Sequence, residues 1–289
     1  MELYVFGDTG GHADQLFSAL SSIGVDVENG IIPDGISIVH CGDLIHKGKF
    51  SKKLVNRVDK LIRNNPGQWH QILGNHEFQH IEGAPYFWRC DCDYADIEKI
   101  ENWFEEGLAT ATYAIPTATS IELSIKKTVE PVDLSKGVFF SHAGITKRWY
   151  EKYIRDNGLV EGSKLINDLP VYILNTFGEM MSQPTNRMAG PVWASSVTEV
   201  FGSWDTQTGM YQNMDFVQFH GHTTPFIWTR KMWYPGNSLT HKNFRNHTKV
   251  DIPHRCTVTS IAGGTIIAVD PGFGARADVE QQPYVKLTI

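Results

Sequence analysis

The sequence predicts an α/β fold built around a buried, largely parallel sheet. Two observations predict the sheet: short apolar runs alternate with amphipathic helical patterns through the first third of the chain, and each run exits through glycine into a polar residue. A third makes it feasible: 289 residues at 41% hydrophobic content are enough to build a self-sufficient core.

The elements follow in order. Leu3 to Phe6 is an apolar run that ends at Gly7-Asp8. Leu16, Leu20 and Ile23 then recur at i, i+4 and i+7, one face of a helix. Ile36 to Val39 is the next strand, closed by Gly42-Asp43. Leu54, Val55, Val58, Leu61 and Ile62 mark a second helix, stopped by Asn64, Asn65, Pro66 and Gly67, and Trp69 to Leu73 reads as a third strand. Later strands are expected at Gly137 to Phe140, Phe216 to Phe219, Thr257 to Ser260, Thr265 to Val269 and Tyr284 to Thr288. A single domain spanning 1–289 is expected, with insertions at about 82–135 and 147–215. The first carries the aromatic run Tyr86, Phe87 and Trp88, an acidic helical piece at Asp96 to Gly107 and a strand at Ile121 to Ile125. The second carries helical periodicity from Leu165 to Met181 and then a loop rich in Pro, Gly, Asn and Ser. Both are read as cover over the functional edge of the sheet.

Composition narrows the class. With 26 Lys plus Arg against 32 Asp plus Glu the net charge is −6, which disfavours a general binder of nucleic-acid backbones. The longest apolar runs, such as Ile261 to Val269 interrupted by Gly263 and Gly264, fall far short of the roughly 20 residues of a membrane span. The four cysteines, Cys41, Cys90, Cys92 and Cys256, do not form a disulfide framework, and no second pair follows Cys90-Asp91-Cys92 at zinc-site spacing. Reduced thiols, no secretory leader and a cytoplasmic setting are the expectation. The 12 histidines are the unusual count.

Ligands of open parallel sheets sit beyond the carboxyl ends of the strands. There the sequence supplies Asp8, then Gly42-Asp43, then Gly74-Asn75-His76-Glu77, then Ser141-His142, then Gly221-His222-Thr223. One strand-end Asp is as readily a turn or helix cap as a ligand, but five strand ends in succession, each bearing an oxygen or imidazole donor, are poorly explained as caps. Carboxylates and imidazoles suit a pair of divalent cations roughly 3.5 to 4 Å apart with Asp43 as the bridge. Such a pair activates water for in-line attack on phosphorus, and His76, an imidazole beside the ligand Asn75, is placed to protonate the leaving alkoxide.

Taken together, Gly7-Asp8, Gly42-Asp43-Leu44-Ile45-His46-Lys47-Gly48, Gly74-Asn75-His76-Glu77, Ser141-His142-Ala143-Gly144-Ile145 and Gly221-His222-Thr223 resemble the ordered motifs of the calcineurin-like metallophosphoesterase superfamily. Within it the chain looks most like the phosphoprotein phosphatase type, whose bacterial relatives include diadenosine tetraphosphatase and Shewanella-like phosphatases. Gly190-Pro191-Val192-Trp193 resembles a segment of the latter. The resemblance implies a central β-sandwich of mixed sheets flanked by helices, with the metals at the carboxyl ends of strands.

Carried over residue by residue, it implies one metal held by Asp43, Asn75, His142 and His222, and another held by Asp8. The family usually reads Asp-x-His-Gly where this chain reads Asp8-Thr9-Gly10-Gly11-His12. Either His12 reaches back from the start of the helix, or water completes that site, or the site is weak or empty. Where the family often has Gly-Asp-x-x-Asp-Arg-Gly, this chain has His46 and Lys47. Lysine neutralises phosphate as a point charge without the fork of arginine, and Arg187 is a candidate to supply a guanidinium from the second insertion. His46 and Glu77 are assigned supporting roles behind the ligands and His76. His220 and His80 are read as structural.

The expected function is a metal-dependent phosphoesterase acting on a phosphomonoester, a Ser/Thr phosphoprotein among the candidates, by attack of a metal-bound hydroxide with His76 as proton donor. The alternatives are a nucleotide or dinucleoside polyphosphate hydrolase and, from another class, a metal-binding scaffold with weak or lost turnover. The cofactors are two divalent ions among Mn, Fe, Zn and Mg, with Mn favoured. The partner is a phosphorylated protein or nucleotide, not a membrane.

Overall fold

The computed structural model describes residues 1–89, 91–125, 132–181, 184–205, 213–223, 225–269 and 283–289. Cys90 lies outside the described residues, so the Cys-Asp-Cys reading is not addressed. Strand β1 (Glu2–Phe6), helix α1 (Ala13–Ser22), β2 (Ile36–His40), α2 (Ser51–Asn64), β3 (Trp69–Ile72), the short α3 (Asn75–Phe78) and α4 (Tyr94–Glu105) follow the alternation read from the sequence. Then come β4 (Ala109–Thr110), β5 (Thr112–Ile115), β6 (Ser120–Glu122), β7 (Val138–Ser141) and β8 (Val217–His220). The chain closes through β9 (Phe226–Ile227), β10 (Met232–Trp233), β11 (Thr248–Asp251), β12 (Cys256–Ile261), β13 (Gly264–Ala268) and β14 (Tyr284–Thr288).

Among the described residues the strands form two six-stranded mixed sheets, ordered β4-β3-β2-β1-β14-β6 and β11-β12-β13-β8-β7-β5, and a two-stranded β9-β10 ribbon. β1 to β4 run parallel to one another, as do β7, β8 and β13. Antiparallel strands extend both sheets.

Alternation along each strand sorts the core into layers. In β1, Leu3 and Val5 face a cluster that contains Val138 and Phe140 of β7, Val217 and Phe219 of β8 and Ile267 of β13, so this layer lies between the sheets. Tyr4 and Phe6 face the other way, into a cluster with Leu16 and Leu20 of α1 and Leu54, Val55 and Val58 of α2. The molecule is therefore a sandwich of mixed sheets with helices outside.

Differences from the sequence reading have local causes. The periodicity from Leu165 to Met181 does not form one helix: helix 159–167 stops before Pro170, which cannot donate within a helix, and a single turn at 171–174 follows. The strand expected at Ile121 to Ile125 is β6 and ends at Glu122. Residues 109–122 carry β4, β5 and β6, which join the two main sheets, and β4, β9 and β10 are two-residue strands too short for a period-2 pattern. No helix of the described residues is long and apolar enough to cross a membrane.

Beneath the edge where β1 to β3 end, His40 is fully buried. The Gln71 amide donates to its Nδ1 at 3.1 Å, so its Nε2–H donates to Thr9 Oγ1 at 2.8 Å. Burial, then the neighbouring His142, lowers its pKa to about 3. The folded state thus keeps His40 neutral while the unfolded chain takes up a proton below pH 6.5, so stability is full above that pH and falls as pH drops. Going from pH 7 to pH 5 should remove about 2 kcal/mol through His40, given an ordinary histidine pKa near 6.5 in the unfolded chain. Urea unfolding at the two pH values checks this, and His40→Gln should flatten the dependence by that amount.

Candidate metal centre

Because β1 to β3 are parallel, as are β7 and β8, their carboxyl ends open onto one edge, and the residues after each end meet there. Asp8, Asp43, Asn75 and His142 are each at most 4% exposed. Atoms of Asp43, His142 and His222 lie within 4.8 Å of one another. His142 Nε2 is 2.9 Å from Asn75 Oδ1, 3.1 Å from His222 Nδ1 and 3.3 Å from Asp43 Oδ1. His222 Nδ1 is also 3.1 Å from Asn75 Oδ1.

These are electron-rich atoms. His142 donates Nδ1–H to the Cys41 carbonyl at 2.8 Å, which leaves Nε2 as a bare lone pair aimed at the cluster. Burial lowers the pKa of both His142 and His222, holding them in the neutral, ligating form. Burial alone would raise the Asp43 pKa, but His76, His142, Lys47 and His222 hold it well below the usual carboxylate range. The nitrogen of His222 that faces the cluster is Nδ1, and its Nε2 has no hydrogen-bond partner among the described residues. Donors about 2.1 Å from a common ion and at right angles to each other lie ~3.0 Å apart. The observed spacings match, so Asp43, Asn75, His142 and His222 fit a divalent cation.

Close packing accounts for the glycines before the donors. A Cβ on Gly74 would lie 2.2 Å from Asp43 Oδ1, and one on Gly221 would lie 2.1 Å from Asp8 Oδ1. Strain gathers at the same place: Asp43, His46, Lys47 and His222 all hold φ between 51° and 70°. Glu77 holds the 43–45 turn in that conformation. Fully buried, its carboxylate accepts N–H bonds from Asp43 (2.8 Å), Leu44 (2.8 Å), Ile45 (3.1 Å) and Gly74 (2.8 Å). Burial and the nearby Asp43 push its pKa up, and the backbone donors, which only an ionised acceptor satisfies in full, oppose that.

The remaining sequence candidates fall around this core. The backbone N–H of His76 donates to Asp43 Oδ1 at 3.2 Å, and its Nε2 lies 3.7 Å from Asp43 Oδ2. Burial lowers its pKa to about 4. Its Nδ1 is hydrogen-bonded to Nδ1 of His46. The Lys47 ammonium lies 3.6 Å from Asp43 Oδ2 and 4.0 Å from Asp8 Oδ2, between the two carboxylates. Asp8 Oδ1 accepts the His222 N–H at 2.8 Å, which ties the first strand end to the last.

His12 precedes α1 and is not in the donor cluster; burial and Lys47 lower its pKa. Gly10 is where the loops zip together, its N–H donating to Asp43 O at 2.7 Å and its carbonyl accepting from Gly48 at 2.7 Å. Arg187 is exposed, and its carbonyl accepts the Thr146 hydroxyl at 2.7 Å. His220 is buried against Ser196. Trp193 is buried edge-on to His222, with ring centres 5.9 Å apart, whereas Trp88, 49% exposed, stands 5.7 Å from His76.

Sequence reasoning missed Gln79. It is 5% exposed and one turn beyond His76, a spacing of three residues that puts both on one side of the chain's turn. Its carboxamide bonds to His46, to His80 and to the backbone of Phe87 and Trp88.

A family profile described as calcineurin-like phosphoesterase matches residues 1–226. No curated protein sequence matches the chain. Among solved structures, the chain is similar to a cold-active protein-tyrosine phosphatase of a psychrophilic Shewanella species, at 15% identity and a TM-score of 0.48 over 96% of this chain and 73% of that one. It is also similar to a metallophosphoesterase from Sphaerobacter thermophilus, at 13% identity and a TM-score of 0.37 over 100% and 87% of the two chains. A protein described as a diadenosine tetraphosphatase aligns at 12% identity and a TM-score of 0.40 over 94% and 83%.

Glu77→Gln tests the carboxylate cradle. The amide places an N–H against at least one backbone N–H, and an unsatisfied buried donor of this kind should lower stability by about 2 to 3 kcal/mol. Because Asp43 is then poorly oriented, zinc or manganese affinity should fall about 10- to 100-fold. Urea unfolding and calorimetric metal titration read the two effects, and unchanged affinity would mean that the cradle does not orient the ligand.

Proposed function

The chain belongs to the calcineurin-like phosphoesterase family, and within it we propose a divalent-metal-dependent phosphomonoesterase in which His76 protonates the leaving group. The observation that carries the reading is the convergence of four donors, three of them on buried residues, with the His76 imidazole 3.7 Å from the Asp43 carboxylate. Asp43, Asn75, His142 and His222 are assigned as the residues that hold the cation. When bound, a divalent ion supplies Lewis acidity, lowering the pKa of coordinated water and neutralising phosphoryl oxygens.

The chain's own residues supply the rest. Lys47, 48% exposed with its ammonium beside Asp43 and Asp8, is in reach of both the cation site and solvent and is assigned to the phosphoryl oxygens. In its cationic form His76 gives the proton on Nε2 to the departing oxygen, which would otherwise leave as an alkoxide, and is left as a neutral imidazole. Phe87 and Trp88 flank His76 edge-on, with ring centres at 5.3 and 5.7 Å, and restrict its rotation. Asp8 is assigned to a second, weaker cation position, where an incoming ion must displace the Lys47 ammonium. The same proposal includes His12 as a supplementary donor there, manganese as the working ion, a single domain and a cytoplasmic setting with reduced thiols. Cys41 and Cys256 are buried and burial pushes their thiol pKa values up, which keeps both unreactive.

A nucleotide or dinucleoside polyphosphate is the second reading for the substrate. Tyr86 and Trp88, 61% and 49% exposed, lie near the side of the site where His76 stands and favour a substrate with a planar ring. Parallel kcat/KM measurements on phosphopeptides and dinucleoside polyphosphates separate the two.

In added manganese the chain should hydrolyse p-nitrophenyl phosphate, and chelation should abolish the activity. His76→Asn should lower kcat by about 10² to 10⁴ with metal content unchanged, and unchanged turnover would refute the assigned role. Absence of hydrolysis at every metal loading would leave the scaffold reading. Lys47→Met should raise KM and the inhibition constant for inorganic phosphate while the fold is retained, and steady-state kinetics with phosphate as inhibitor checks it.

A further inference from the structure

We propose that the β9-β10 ribbon and the helix Leu239–His247 beside it form a docking surface for an acidic segment of a phosphorylated polypeptide, set apart from the residues that carry the reaction. This rests on the phosphoesterase reading and takes its phosphoprotein form.

Charge singles out the region. From Phe216 to Val250 the chain contains no Asp or Glu, and Arg230, Lys231, Lys242, Arg245 and Lys249 give this stretch a charge of +5 in a chain of −6. On α2, by contrast, Lys52, Lys53, Arg57 and Arg63 each meet a carboxylate. None of the five cations here forms an ion pair among the described residues. Arg230, Lys231, Lys242 and Lys249 are exposed, while Arg245 donates to the Tyr234 and Gly236 carbonyls, each at 2.9 Å, and so ties the helix to the exit of the ribbon.

The backbone supplies a second, independent sign. The Arg230 N–H donates to the Ile227 carbonyl at 3.1 Å to close the turn, and Lys231 follows at φ 49°, in the left-handed region where glycine or asparagine sits without strain. A lysine kept at a strained ribbon tip points to a use for its ammonium.

Ring packing fixes the surface beside the site. Phe226 is buried, with ring centres 5.1 Å from Trp228 and 5.4 Å from Trp233, and Trp233 lies 5.9 Å from Phe244 of the helix. Phe244 in turn packs 5.3 Å from Phe201, in the helical turn Ser196–Phe201. The N–H of Ser196 donates to Thr223 Oγ1 at 2.9 Å, one residue beyond the ligand His222. Phe226 is four positions from His222, at most about 14 Å along the chain.

The chemistry of the surface favours a polypeptide. A single-stranded nucleic acid is held by open ring faces, but Trp228 and Trp233 are half-buried against Phe226. Of the exposed apolar side chains, Met232, Tyr234 and Leu239, two are not aromatic. A long polyanion would also meet the acidic remainder of the chain, whereas a short run of Asp or Glu is matched by the local cations. At about 3.3 Å per residue, acidic side chains roughly four to eight positions from the phosphorylated residue reach the ribbon while the phosphate occupies the site.

Two phosphopeptides that share one phosphoserine and differ only in glutamates or lysines placed about five to eight positions from it test this. At low salt the acidic one should have a kcat/KM about 10-fold higher, through KM, and the difference should vanish near 0.5 M salt. The triple variant Arg230→Glu, Lys231→Glu, Lys242→Glu should lose the preference and keep its turnover of p-nitrophenyl phosphate. Equal kcat/KM on the two peptides in the wild-type chain, a preference that survives charge reversal, or an equal loss on p-nitrophenyl phosphate would overturn the proposal. Fluorescence anisotropy with the labelled, unphosphorylated acidic peptide needs no turnover. The wild-type chain should bind it more tightly than a single-stranded oligonucleotide of equal length or phosphatidylserine vesicles, and tighter binding of either would refute the polypeptide assignment. Lys231→Gly relieves the turn, so it should weaken peptide binding without lowering Tm; undiminished binding would count against the surface. The binding measurements decide the docking surface even if no phosphate ester is hydrolysed, so failure of the enzymatic reading and failure of the docking surface are distinguishable.

Discussion

One buried carboxylate holds the site together. Glu77 takes four main-chain N–H groups from two strand exits. It shares with the Thr9, Gly10 and Gly11 N–H groups, which bond the Asp43 and Leu44 carbonyls, the task of holding the turn that carries Asp43 at positive φ. With it, the exits of β2 and β3 are joined, and Asn75 and His76 at the start of α3 are brought to the Asp43 carboxylate. Glu77 contributes charge but no ligand atom to the donor cluster: its oxygens face the backbone, not the shared point.

The rest of the centre builds outward by similar links. Asp8 receives the His222 N–H, joining an exit of one sheet to an exit of the other. The Cys41 carbonyl fixes the ring of His142 across the same gap. Each link uses a main-chain group of one strand exit and a side chain of another, so the donors are positioned by the sandwich as a whole. The acidic excess of the chain, −6, is locally reversed in purpose here: buried Asp43, Asp8 and Glu77 make a pocket whose field attracts cations, and a bound cation in turn attracts phosphate.

The departures at His46 and Lys47 look different once their surroundings are described. The Lys47 ammonium lies between two buried carboxylates, 3.6 Å from Asp43 Oδ2 and 4.0 Å from Asp8 Oδ2. The His46 ring is held between the His76 imidazole and the Gln79 carboxamide.

By itself the sequence determined the alternation of β1 to β3 with α1 and α2, the strand exits, and the identity of the residues at them, because hydrophobic period and Gly-polar exits are local properties. Asp43, Asn75, His142 and His222 were legible for that reason, each next to a glycine or at the end of an apolar run. What only the tertiary structure decided is what depends on pairing between distant segments. The two-residue strands β4, β9 and β10 have no period to read, and Pro170 outweighs the apolar spacing around it. Glu77 was legible as a residue near ligands but not as the acceptor of four backbone bonds, since its partners are 3 to 34 positions away in the sequence. Gln79 gave no signal at all: its role lies in hydrogen bonds to His46 and to the Phe87 and Trp88 backbone, and those exist only after folding has brought the groups within 3.1 Å.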